Sequence, residues 1–98
     1  MKFMQIIEFT TTRIDEFNAN LDAWMAKTDG HRISHRAVLQ GDRDTENMYL
    51  LTVEFSSHEQ GIENSSRPET GEFAAFLAGI SDGALKFRNL DVLREEDL

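Results

Sequence analysis

The chain has 98 residues, and 18 Asp and Glu against 10 Lys and Arg give a formal charge of −8. That is the length of one compact domain and the wrong sign of charge for neutralising nucleic-acid phosphates. Hydrophobic residues make up 40%, with seven Phe and no Cys, which excludes global disorder, a disulfide framework, a thiolate nucleophile and Cys-ligated metal sites.

At the N-terminus, Met1-Lys2-Phe3-Met4-Gln5 carries one basic residue and Glu8 interrupts the apolar run, so no signal-peptide core is expected. No window approaches the roughly 18 apolar residues of a membrane span. A cytoplasmic protein is the expectation. Phe3 to Thr10 is rich in strand formers, with Phe3, Ile7 and Phe9 on one parity and Met4 and Ile6 on the other. Apolar residues on both faces place such a strand in the middle of a covered sheet.

The period then changes. Ile14, Phe17, Leu21, Trp24 and Met25 form one stripe of a helix, with Thr12 and Asp15 as the expected cap and Lys27 and Gly30 as stop signals. From Arg32 to Gln40 the period is two again, with Ile33, His35, Ala37 and Leu39 on one face, as near a sheet edge. Gly41 to Asn47 turns the chain into a second strand, Met48 to Phe55, that is apolar on both faces. Ser57 and Gln60 have capping-box spacing. The helix they start is expected to break near Arg67-Pro68 and resume, because Pro suits a first turn and disfavours helix in the residue before it. Phe73, Phe76, Leu77 and Ile80 give the next helical stripe, closed by Asp82-Gly83. In the last strand Leu85 and Phe87 oppose Leu90 and Val92 in parity, and a bulge near Arg88-Asn89 would reconcile them.

The order strand, helix, strand, strand, helix, strand is the split βαβ arrangement. It predicts a single ferredoxin-like α+β domain over residues 1–98, with a four-stranded antiparallel sheet whose first and third strands are central. Helices cover one face of such a sheet. The apolar residues left on the other face point to a homodimer packed through the sheets.

With that order, the opening strand Phe3-Met4-Gln5-Ile6-Ile7-Glu8-Phe9, the segment Asn64-Ser65-Ser66-Arg67-Pro68-Glu69-Thr70 and the run Phe87-Arg88-Asn89-Leu90-Asp91-Val92 resemble the dimeric α+β barrel superfamily. Within it the chain is similar to the small antibiotic biosynthesis monooxygenase-like proteins of actinobacterial type. The resemblance implies a dimeric α+β barrel and, among several activities of that superfamily, cofactor-free monooxygenation of a small aromatic or polyketide-like compound. A non-catalytic ligand-binding or structural dimer module is the alternative. The oxygenases of that family use an Asn, a Trp, a Tyr and an Arg around the interior. Here the one Trp, Trp24, lies on the first helical stripe, and the second helical region has none. The Asn–Trp–His pattern of the haem-degrading members has no counterpart, so no cofactor is expected.

Individual residues carry further expectations. His31 and His35 would lie about 13 Å apart on a strand, too far to share an ion, and no metal site is expected. His35, on the face of Ala37 and Leu39, is a candidate acid or base, or else a hydrogen-bonded histidine of a half-buried strand. Tyr49 is a candidate hydrogen-bond donor to a bound carbonyl, or a core residue with its hydroxyl at the rim. Arg36 and Arg88 are candidates for holding a ligand carboxylate, or edge charges that discourage aggregation. Asn64 and Arg67 belong to the segment from His58 to Thr70, where free backbone amides at the second helical piece suit an anion. A simple helix kink explains the same residues.

Overall fold

The computed structural model describes residues 1–98. In chain order the elements are β1 (Phe3–Thr10), α1 (Ile14–Lys27), β2 (Arg36–Gly41), β3 (Met48–Phe55), α2 (His58–Ser65), α3 (Pro68–Ile80) and β4 (Lys86–Asp91). The strands form one antiparallel sheet in the order β2-β3-β1-β4. The two strands that are apolar on both faces therefore occupy the centre, as a ferredoxin-like α+β fold requires.

Register decides which residues share the core. Phe3 pairs with Phe55 and Ile7 with Leu51, so the odd-numbered rows of both central strands point the same way. Those rows bury Phe3, Ile7, Phe9, Leu51 and Phe55 with Phe17 of α1 and Leu77 and Ile80 of α3. Phe9 lies 5.3 Å from the Phe17 ring and 5.8 Å from Tyr49. Each such side chain contributes about 1.5–3 kcal/mol by leaving water. The even-numbered row adds nothing to this core: Met4, Ile6, Val38 and Leu50 are half-buried, and Leu90 is exposed.

Several local expectations need correction. β2 begins at Arg36 rather than Arg32, because the preceding residues are held elsewhere. The His31 N–H closes a turn onto the Thr28 carbonyl, and strand bonding starts with the His35 N–H on the Glu54 carbonyl. β4 has no bulge: Lys86 through Asp91 pair with Glu8 through Phe3 without interruption. Its apolar residues simply fall on both faces of an edge strand. The cap of α1 is Arg13, with no side-chain cap bond. The hydroxyl that matters is that of Thr11, which accepts from the Arg13 N–H at 3.0 Å and donates to the Ile80 carbonyl at 2.6 Å.

The remaining signals hold. Ser57 Oγ accepts from the Gln60 N–H at 3.2 Å, while the Gln60 side chain accepts from the Ser56 N–H at 3.0 Å. Pro68 opens α3 in its first turn, immediately after the break at Arg67. No helix is long and apolar enough to cross a membrane.

Candidate functional site

Between the helices and the sheet lies a cavity of about 60 Å³ to which every layer contributes. β1 supplies Gln5 and Ile7, β2 supplies Ala37, and β3 supplies Leu51, Val53 and Phe55. Leu21 and Trp24 of α1, Asn64 of α2, and Thr70 and Phe73 of α3 close the helical side, with Ser34 from the segment before β2. Eight of the 12 lining residues are hydrophobic, and the four exceptions are Gln5, Ser34, Asn64 and Thr70. All four exceptions are neutral hydrogen-bonding groups. An apolar chamber with a few polar groups is the usual make-up of a small-molecule site.

The local sequence explains each wall. Trp24 and Phe73 sit on the inward stripes of their helices, with ring centroids 6.2 Å apart. The break between α2 and α3 brings Asn64, near the end of one helix, and Thr70, near the start of the next, to one chamber. Close to Ser34 in the chain, Arg67 donates from Nη1 to the His31 carbonyl, and the Arg32 guanidinium lies 5.9 Å from the Trp24 ring centroid. Residues 31 and 32, next to the lining residue Ser34, are thus strapped to the α2–α3 break on one side and to α1 on the other. Arginine over an aromatic face adds about 0.5–1 kcal/mol at an exposed site.

Of the candidate catalytic and ligand-binding residues His35, Arg36, Tyr49, Asn64, Arg67 and Arg88, Asn64 alone lines this chamber. Tyr49 faces the helices but stacks on Phe9. His35 is exposed and hydrogen bonded to Ser56 Oγ at 2.7 Å. It does not share a chamber face with Ala37; Ser34 does, because the chain is not regular strand before Arg36. Arg36 pairs with Glu54 and Arg88 with Ile6 in the ladders, which puts both on the even-numbered face of the sheet. Arg67 is spent on the strap. The sequence reading missed Gln5 and Ser34, and it reached Thr70 only as part of the segment from His58 to Thr70. Gln5 had a usable signal, since it is the polar exception in the row Phe3, Ile7, Phe9. Ser34 had none.

No group of three or more His, Asp and Glu lies close enough together to hold a metal ion.

No family model and no curated protein matches the sequence. Solved structures do match the fold. SnoaB, a cofactor-independent oxygenase from Streptomyces nogalater solved as an asparagine-to-alanine mutant, superposes with a TM-score of 0.79 at 17% identity, covering 96% of this chain and 95% of that one. A candidate antibiotic biosynthesis monooxygenase from Caulobacter crescentus gives 0.78 at 14% identity, with 95% and 91% covered. A Mycobacterium tuberculosis protein gives 0.77 at 17% identity, with 99% and 100% covered. The chain has the fold of the antibiotic biosynthesis monooxygenase-like proteins.

Proposed function

We propose that this chain, sharing the fold of the antibiotic biosynthesis monooxygenase-like proteins, is a cofactor-free oxygenase of a small electron-rich aromatic compound. The observation that carries the reading is the apolar chamber with Asn64, Thr70, Ser34 and Gln5 as its polar groups. The chain's own residues would bind and orient: Leu21, Trp24 and Phe73 against the ring, and the Asn64 amide toward its oxygen substituent. In a cofactor-free oxygenation the substrate supplies the electrons itself, and with no carboxylate, imidazole or amine among the lining residues it must also be acidic enough to lose its proton without a protein base. An activated ring methylene does so. One oxygen atom of O₂ becomes the new carbonyl, and the two methylene hydrogens leave with the other as water.

The chamber is small for this task. A cavity of about 150 Å³ holds benzene, so about 60 Å³ does not accommodate a fused ring until the strap at residues 31–34 parts. The reading therefore includes opening at the Arg67–His31 contact.

Oxygen uptake with anthrone as the probe tests it. Asn64→Ala is expected to lower the rate at least tenfold, the range for losing one positioned polar group. Tyr49→Phe is expected to stay within twofold. Uptake no faster than buffer would overturn the reading. A second reading, a ligand-binding protein without catalysis, is favoured by the absence of any ionisable lining residue. It predicts saturable anthrone binding, lost on enlarging Asn64 to Trp, with no oxygen consumed.

We also propose a homodimer through the even-numbered sheet face, supported by the row of half-buried apolar residues that no helix covers.

A further inference from the structure

A second cleft lies between α2 and β4, outside the chamber just described, and holds about 170 Å³. Its walls are Phe3 and Gln5 of β1, His58, Gly61, Ile62 and Ser65 of α2, and Asn89 of β4. Two features set it apart from an accidental groove. The first is a matched polar exception. The helix-facing row of β1 reads Phe3, Gln5, Ile7, Phe9, and directly opposite Gln5 in the ladder stands Asn89. A local choice that conflicts with the pattern around it marks a functional position more often than a packing one. The second is the close approach of α2. Gly61, buried in mid-helix, lets the backbone meet Phe3 where a Cβ would come within 2.7 Å of the ring. That contact fixes α2 over the start of β1, while the residues of β4 stay exposed.

The amide pair has a defined hydrogen-bonding edge. Gln5 Nε2 donates to Asn89 Oδ1 at 3.2 Å, and this bond leaves over the Gln5 oxygen as an acceptor and an Asn89 N–H as a donor. Beside them the His58 ring stands edge-on to Phe3, with centroids 5.0 Å apart. Lys, Arg, Asp and Glu are all missing from the lining, which has His58 as its one titratable side chain, and the amide edge itself carries no charge.

We infer that this cleft is a binding site for a neutral, flat, one- or two-ring compound carrying a lactam edge. A lactam presents an N–H donor and a C=O acceptor side by side, complementary to the acceptor and donor left over by Gln5 and Asn89. The volume lies below the roughly 300 Å³ at which drug-sized pockets begin, which sets the ring count. The site is independent of any oxygenase activity in the chamber. Gln5 lines both cavities and is the one side chain they share.

Chemical-shift titration of ¹⁵N-labelled protein with 2-quinolone, and with its N-methyl analogue that lacks the donor, tests the inference. Saturable shifts of the Gln5 and Asn89 side-chain amides and of the Gly61 and Ser65 backbone are expected with 2-quinolone. The N-methyl compound is expected to bind at least tenfold more weakly. Asn89→Leu, on an exposed edge strand, is expected to weaken both compounds, because both keep the carbonyl that the Asn89 N–H would bind, with the dispersed spectrum retained. Equal affinity of the two compounds, shifts confined to Leu21, Trp24 and Phe73, or no saturable shift would each overturn it.

Discussion

Single residues in this protein act through one contact each, and two of them show how a magnitude decides the outcome. At Gly61, alanine would favour the helix by about 1 kcal/mol, but its Cβ would lie 2.7 Å from the Phe3 ring. Overpacking costs about 1–3 kcal/mol, and Phe3 is buried against Phe55 and His58, so the ring cannot swing away. Gly61→Ala is expected to lower stability by about 1 kcal/mol in urea unfolding, and Phe3→Leu in the same chain to recover part of the loss. The second case is Glu16. Hydrogen bonds from Arg13, one of them 2.8 Å from Nη2, hold its carboxyl below the ordinary glutamate value. Its depressed value in the folded state makes the contribution present above the unfolded value of about 4.3, and it is lost as pH falls through the folded one. Thermal unfolding of Arg13→Gln is expected to show a small deficit at pH 7 that closes below pH ~4. The pair is exposed and screened, which keeps the effect small.

Elements are joined by a few side chains that satisfy their ends. Thr11 is the clearest: fully buried, it donates to the Ile80 carbonyl of α3 and accepts from the N–H of Arg13, just before α1. Beside it the Asp82 N–H reaches the Thr10 carbonyl at 2.7 Å. Thr11→Val removes both hydroxyl bonds while keeping the shape, and is expected to cost about 1–3 kcal/mol by stranding buried backbone groups. Ser57→Ala removes only a cap bond on α2 and is expected to cost about 1 kcal/mol. Denaturant midpoints of the two variants check the ranking.

Over the whole molecule, one sheet face is spent on the core and the other is not. Ile6, Val38 and Leu50 remain half-buried on that second face, and the proposed dimer would bury them. Sedimentation at micromolar concentration is expected to show a dimer, and Leu50→Lys a folded monomer with a lower melting temperature, because Leu50 lies outside the core cluster but the stabilisation from association is lost. Each copy carries a formal charge of −8, so added salt is expected to tighten the dimer by screening repulsion. A monomeric wild type would remove the dimer from the proposed function and leave the chamber untouched.

Local pattern carried most of the fold. The stripe Ile14, Phe17, Leu21, Trp24 could only be a helix, Phe3–Phe9 and Met48–Phe55 could only be central strands, and Pro68 had to divide the second helical region. These signals rest on residues one to four apart, whose spacing is set by helix and strand geometry. The site was another matter. Arg36, Arg88 and His35 are plausible ligands by residue type, yet register turns the first two to the even-numbered face. Residues 31–34 lie outside the ladder, with the His31 carbonyl held by Arg67 from 36 residues away, and Ser34 stands at the chamber. Gln5, Asn64 and Thr70 meet only because separate elements pack together. Which side chains converge depends on packing between segments distant in the chain, and no local period records it.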